Sequence, residues 1–131
     1  MSSTIDAALS GLAAASKRVE VSASNIANQQ STATSINGVT TNKSYIPQDV
    51  VQISLGAGGV RAETRDTPKP TINYYDPSSA QTDGTGFVAT PNVDVAKELV
   101  NQQIASYDYK ANLKAIKIAS SLEQNLLDIM S

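Results

Sequence analysis

The last third of the chain carries the strongest hydrophobic pattern, a stripe of apolar side chains at helical spacing. Its eleven positions lie three or four residues apart, and ten steps span 36 residues, a period of 3.6. This is the period of a straight α-helix rather than of a seven-residue coiled-coil repeat. We therefore predict a helix about 55 Å long over residues 93–131, with Asn92 as its N-cap after Pro91. The stripe comprises Val93, Ala96, Val100, Ile104, Tyr107, Ala111, Ala115, Ile118, Leu122, Leu126 and Ile129.

The first segment of the chain repeats this pattern more weakly and predicts a second helix within residues 1–30. Most of its remaining positions are Ser, Ala, Asn or Gln, and charged side chains are few. A solvated helix face normally carries interspersed charges, so a face of small uncharged residues suits close approach to another protein. The alternative is a Ser-rich helix that frays in isolation. The N-terminal stripe comprises Ile5, Ala8, Leu12, Ala15, Val19, Ala23 and Ile26.

Between these helices, residues 31–92 are predicted to form loops and short strands. Partial alternation of apolar residues predicts a strand over Tyr45–Leu55, and the glycines of residues 56–59 turn the chain into a return strand over Val60–Thr64. Residues 87–90 are expected to be extended before the long helix begins. The rest is expected to be irregular: the Ser/Thr/Asn-rich connector 30–43, the stretch broken by Pro68, Pro70 and Pro77, and the loop 76–86.

Together these elements predict a mostly α protein with a small irregular middle region that contains a β-hairpin. The two stripes are explained if the terminal helices pack on each other. Such a pair leaves about half of each helix exposed, and apolar burial at roughly 25 cal/mol per Å² then barely offsets about 1.5 kcal/mol per ordered residue. The helices are therefore expected to be marginal alone and stable only beside neighbouring subunits.

The composition excludes several classes of function. Ten Lys and Arg face twelve Asp and Glu, a net charge of −2, and no basic cluster suits a nucleic-acid backbone. The chain has no His and no Cys, which removes the usual proton-transfer, nucleophilic and thiolate metal chemistry. No apolar run of about 20 residues spans a bilayer, and no secretory signal is visible. We expect no enzyme, no cofactor, no nucleic acid and no direct membrane insertion.

Two local features have weak candidate chemistry. The glycines of residues 56–59 match no phosphate-binding pattern, since neither Gly-Lys-Ser/Thr nor a helix follows them, and a hairpin turn is favoured. Asp76 and Asp83 flank a loop that could hold calcium, but their spacing fits no calcium-binding loop, and Asp is common in turns. Neither feature indicates a catalytic or metal site.

Three stretches resemble a known family. Residues 22–28, Ser-Ala-Ser-Asn-Ile-Ala-Asn, resemble the Ser-Ala-x-Asn-Ile-Ala-Asn signature of bacterial flagellar rod and hook proteins. Within residues 76–93, Asp-Pro, Asp, Gly-Phe-Val and Pro-Asn-Val resemble the proximal-rod branch of the FlgC type. Residues 105–112, Ala-Ser-Tyr-Asp-Tyr-Lys-Ala-Asn, resemble the C-terminal helix of that branch, with Tyr107 where an arginine is common.

The resemblance implies a structural subunit of the flagellar basal body. The terminal helices would form an antiparallel, coiled-coil-like pair lining the inner tube of a rod that crosses the periplasm and transmits torque, and residues 31–92 would form an outer domain. The implied partners are copies of the chain, other proximal and distal rod proteins, the hook-basal-body junction protein and the type III export apparatus, which needs no cleaved signal peptide. The alternative function is a cytoplasmic coiled-coil adaptor that binds a partner helix.

Asn25 and Asn28 allow two interpretations, since their amides can cap the first helix locally or bridge the backbones of neighbouring subunits. The residues predicted to carry assembly and helix packing are Ile5, Leu12, Val19, Asn25, Ile26, Asn28, Val100, Ile104, Tyr107, Ala111, Asn112, Ile118, Leu122, Leu126 and Ile129.

Overall fold

Two long helices dominate the computed structural model of the chain. Helix α1 covers Ser2–Ala27 and helix α2 covers Val95–Met130, which confirms the two predicted helices to within a few residues. The structure describes residues 2–32, 34–36, 39–42, 44–56, 58–82 and 85–130.

The start of α2 is fixed by Asp94 and not by Asn92, so the predicted N-cap was wrong. Oδ1 of Asp94 accepts the backbone N–H of Lys97 at 3.1 Å, and its carbonyl accepts the first helical bond from Glu98 at 3.0 Å. The side chain of Asn92 instead donates to the carbonyl of Lys69 at 3.0 Å. A carboxylate satisfies an unpaired N–H and also lies favourably at the positive end of the helix dipole.

Six strands in the described part of the chain pair into three two-stranded sheets. The predicted hairpin is confirmed as strands β3 and β4, with the N–H of Leu55 bonded to the carbonyl of Gly59 at 3.1 Å. Gly58 and Gly59 have φ of 95° and 89°, which L side chains rarely adopt. The strands are β1 (Thr34–Ile36), β2 (Val39–Asn42), β3 (Gln48–Ser54), β4 (Val60–Asp66), β5 (Thr71–Tyr75) and β6 (Phe87–Pro91).

Two regions expected to be irregular contain strands. Strands β1 and β2 pair antiparallel inside the predicted connector, although Gly38 and Lys43 lie outside the described residues. Strand β5 follows directly after Pro70 and pairs with β6, with Thr71 opposite Pro91 and Tyr75 opposite Phe87. The prolines precede the strand or end its partner, so they remove no bond from the middle of the ladder.

The chain divides into two compact units. The first contains the chain up to Glu20, Val50–Glu63 and everything from Val100 onward, and the second contains Val21–Asp49 and Thr64–Leu99. Within the described residues, every buried apolar side chain of the first unit is an alanine. Helix backbones packed through such small side chains approach closely but bury little apolar area. These alanines are Ala8, Ala14, Ala15, Ala105 and Ala119.

Candidate assembly surface

Asn25 is the centre of a buried hydrogen-bond network in the second unit. Its side chain is 0% exposed, and its Nδ2 donates to the carbonyl of Gln48 at 2.8 Å and to Oε1 of Glu98 at 2.9 Å. Its Oδ1 accepts the backbone N–H of Gln48 and the hydroxyl of Tyr45, both at 3.0 Å. All four hydrogen-bonding positions of the amide are therefore filled within one chain.

Asn28 has a local role at the end of α1. Its Nδ2 donates to the carbonyl of Ser24 at 2.9 Å, and its own carbonyl accepts the N–H of Ser31 at 3.0 Å. The carbonyl of Ser24 also accepts the backbone N–H of Asn28 at 3.0 Å, so the amide adds a second bond to a carbonyl in the last turn of α1. The local-cap interpretation describes Asn28, whereas Asn25 bonds residues that are distant along the chain, an arrangement that neither interpretation named.

In the first unit, an ion pair and a glycine–asparagine contact join the two helices. Arg18 Nη1 lies 2.8 Å from Oδ2 of Asp108. A Cβ added to Gly11 would lie only 2.6 Å from Oδ1 of Asn112, so the helix surface at Gly11 is covered by that amide. Asn112 is itself held by a bond of 2.9 Å from its Nδ2 to the carbonyl of Asp108. Any residue larger than glycine at position 11 would therefore displace the Asn112 side chain.

We expect Gly11→Ala to have opposite effects with and without the Asn112 side chain. In the native chain the new methyl group displaces Asn112, and the expected cost is about 1 kcal/mol. In an Asn112→Ala chain the same change should stabilise by up to about 1 kcal/mol, because alanine is the better helix former. Urea titrations in a stabilising osmolyte give the four free energies of unfolding. Equal effects of Gly11→Ala in both backgrounds would contradict the contact.

The large apolar side chains of α2 lie on the outside of the subunit. Leu122 is 52% exposed and Tyr107 is 61% exposed, and the alanines Ala111 and Ala115 of the same stripe are exposed as well. The face of α2 that is buried carries Ala105 and Ala119 instead. We call the exposed set the α2 stripe; it comprises Val100, Ile104, Tyr107, Ala111, Ala115, Ile118, Leu122, Leu126 and Ile129.

The predicted assembly residues thus fall into three groups. Asn25 is buried; those of the α2 stripe are exposed, as is Val19 of α1. The rest are half-buried: Ile5, Leu12, Ile26, Asn28 and Asn112. Tyr107 has a cation beside it, because Nζ of Lys110 lies 5.9 Å from its ring centre.

Sequence reasoning missed the partners of Asn25. Glu98 is 6% exposed although it is charged, and Tyr45 and Gln48 lie far from Asn25 along the chain. The signature around Asn25 was the only signal, and it names one member of the network without its partners.

The weak candidate sites gain no support from the structure. Asp76 caps its own turn, accepting the N–H of Ser78 at 3.1 Å and its hydroxyl at 2.7 Å, while Asp83 lies outside the described residues. Where the structure describes the chain, no three His, Cys, Asp or Glu side chains cluster as metal ligands do. Among the described helices, none is long and apolar enough to cross a bilayer.

Comparison with known proteins matches the two ends of the chain to two different flagellar rod families. Residues 5–33 match the family described as "Flagella basal body rod protein", and residues 85–129 match "Flagellar basal body rod FlgEFG protein C-terminal". The flagellar basal-body rod protein FlgC of Yersinia enterocolitica is 38% identical over 118 residues, which cover 89% of this chain and 88% of that protein.

Further relatives agree. FlgC of Salmonella typhimurium strain LT2 is 37% identical over 122 residues, with the same coverage of both chains. FlgC of Buchnera aphidicola subsp. Acyrthosiphon pisum is 30% identical and covers 92% of this chain and 90% of its own length.

The large apolar side chains of α2 are exposed, and both ends of the chain match flagellar rod domains. The chain is therefore a structural subunit of the flagellar basal-body rod and not an enzyme. The chain belongs to the FlgC family of flagellar basal-body rod proteins. This confirms the family that the three sequence stretches indicated, and it favours the rod subunit over the cytoplasmic adaptor.

Proposed function

We propose that the chain polymerises through its terminal helices, with the α2 stripe as the surface that meets neighbouring subunits. The observation that carries this proposal is the exposure of a row of apolar side chains, seven large ones together with Ala111 and Ala115, along 30 residues of one helix from Val100 to Ile129. Single exposed apolar residues are ordinary, but a contiguous apolar row marks a surface that another molecule covers. In a rod, the cover is supplied by adjacent subunits.

The same proposal assigns the parts of the chain. Residues 1–30 and 93–131 form the helical inner-tube domain as an antiparallel, coiled-coil-like pair, and residues 31–92 form the outer region. The pairs Arg18–Asp108 and Gly11–Asn112 support the antiparallel direction, since the partner's number falls from 112 to 108 as the first rises from 11 to 18. The alanine core of the first unit fits a pair that neighbouring subunits stabilise.

The remaining parts of the proposal concern the cell. The rod crosses the periplasm and transmits torque, and the subunit reaches it through the flagellar type III export apparatus without a cleaved signal peptide. Its neighbours are copies of itself, other proximal and distal rod proteins and the hook-basal-body junction protein. Weak intrachain packing suits this route, because little stability opposes the threading of an unfolded chain.

Cysteine labelling tests the stripe directly, because the natural chain contains no cysteine. We expect Leu122→Cys to react quickly with a maleimide in the purified subunit and at least about tenfold more slowly in isolated basal bodies, where a neighbour covers it. Ala119→Cys is the matched control, since Ala119 is buried within the subunit already and should react slowly in both. Equal labelling of Leu122→Cys in the two preparations would refute the proposal.

A further inference from the structure

The α2 stripe has a narrow section near its middle. Two alanines, Ala111 and Ala115, are the only members of the stripe between Tyr107 and Ile118, and both are exposed. Large side chains lie on each side of this section, since Tyr107 is 61% exposed and Ile118 is 51% exposed. The exposed surface of α2 therefore contains a notch with an alanine floor and a bulky side chain at each end. We call it the alanine notch.

The alanine notch has about the width of an α-helix. Tyr107 and Ile118 are eleven residues apart, which is about 16 Å along the axis of α2. A helix with its side chains is about 10–12 Å wide, and one that crosses α2 at about 50° occupies about 13–16 Å of that length. A helix lying parallel to α2 would instead rest on the large side chains along the stripe and leave the alanines out of contact. The notch therefore favours a crossing helix.

The spacing of Ala111 and Ala115 suits such a crossing. They lie four residues apart, so they belong to one of the rows of side chains that interlock when two helices cross at about −50°. The two helix axes approach to about 8 Å only where the side chains between them are small. The partner helix must therefore carry small side chains at the crossing as well.

Helix α1 of a second copy meets that requirement. Ala13 and Ser16 are exposed on α1, in the part of the helix that belongs to the first unit. Two α2 helices that met at their own alanine notches would be related by a two-fold axis, and such a pair closes on itself instead of extending into a rod. Contact between α1 and α2 uses two different surfaces, so it repeats from copy to copy.

We infer that α1 of one copy crosses α2 of the next copy at the alanine notch, with Ala13 and Ser16 of α1 at the crossing. The inference rests on the proposed function, in which the α2 stripe meets neighbouring subunits. It adds the point of closest approach and the helix that occupies it. Tyr107 and Ile118 then lie on either side of the crossing helix and bury apolar surface against it.

A change of size in the notch tests the close approach. Ala111→Leu adds apolar surface but fills the notch, so the crossing helix is displaced and we expect at least about tenfold fewer assembled rods. The isolated subunit should keep its circular dichroism spectrum, because Ala111 is exposed in it. Ser120→Leu is the matched control, since it places the same side chain at an exposed position off the stripe and should leave the number of rods near normal. Normal rod numbers with Ala111→Leu would overturn the inference.

Disulfide formation tests the occupant of the notch. Two differently tagged chains, one with Ala111→Cys and one with Ser16→Cys, are expressed together, and their basal bodies are isolated and oxidised. We expect a mixed dimer at least about tenfold more abundant than with Ser120→Cys in place of Ala111→Cys, because only the crossing brings the two α-carbons within about 7 Å. Loss of rods with Ala111→Leu but no mixed dimer would contradict α1 of a second copy as the occupant.

Failure of this inference can be told apart from failure of the proposed function. If both tests of the notch are negative while Leu122→Cys is protected in basal bodies, only the crossing has failed. If Leu122→Cys is labelled freely in the same preparations, the proposed function has failed with it.

Discussion

Replacing Leu122 with aspartate is expected to leave the isolated subunit folded and to abolish its incorporation into rods. Leu122 is half exposed in the single chain, so the carboxylate stays hydrated there and costs little. In the proposed rod the same carboxylate is buried against an apolar neighbour without a partner, which costs several kcal/mol at each contact. Every subunit repeats that cost.

The measurement has two parts. Circular dichroism of the purified variant should match the native spectrum, and a strain that carries only the variant gene should form no swarm in soft agar. Ile104→Asp, on the same stripe, should behave alike. Ser120→Asp is the matched control, because Ser120 is exposed on the same turns but lies off the stripe. Normal motility with Leu122→Asp, or equal loss with Ser120→Asp, would argue against assembly through the stripe.

Replacing Asn25 with alanine should destabilise the subunit itself. The change removes the amide that bonds Glu98, the hydroxyl of Tyr45 and both backbone groups of Gln48, although the Tyr45 hydroxyl keeps its bond to Ser24. A buried group that loses its partner costs about 1–3 kcal/mol, and more for a charged one. We therefore expect a loss of at least about 3 kcal/mol in the free energy of unfolding, a large fraction of the stability of a small domain.

Asn28→Ala is the natural comparison, because the residue type and the helix are the same. Asn28 gives up one local bond at a half-buried helix end, and the expected loss is about 1 kcal/mol or less. Urea titration of both variants in a stabilising osmolyte measures the difference. Similar losses of unfolding free energy in the two variants would mean that the network around Asn25 contributes no more stability than the local bond of Asn28.

The helices could be predicted from sequence because their signals are local. The 3.6-residue period of the α2 stripe depends only on nearby residues, and it predicted the helix to within two residues at its start. The hairpin of β3 and β4 was equally readable from its glycine turn. Strand β5 was not, because its pairing with Val88 and its neighbours in β6 is a contact between distant residues.

The sequence could not show which side of each helix is buried within the subunit and which side is exposed. Periodicity reports that apolar side chains share one face, and it says nothing about whether that face is covered by the same chain or by another. The natural interpretation of Leu122 and Ile104 as part of an intrachain core is the reverse of what the structure shows. The buried positions are Ala105 and Ala119, whose small side chains carry little hydrophobic signal.

The network around Asn25 also constrains the order in which the chain can acquire structure. One of its hydrogen-bond acceptors is Glu98, so three quarters of the polypeptide must be present before the amide is fully bonded. A shorter N-terminal stretch, emerging first from a ribosome or a secretion channel, contains Asn25 and Tyr45 but leaves one amide proton without its buried acceptor. The second unit therefore completes its hydrogen bonds only when the start of α2 is present. A partly emerged chain lacks the Glu98 acceptor and is less able to fold.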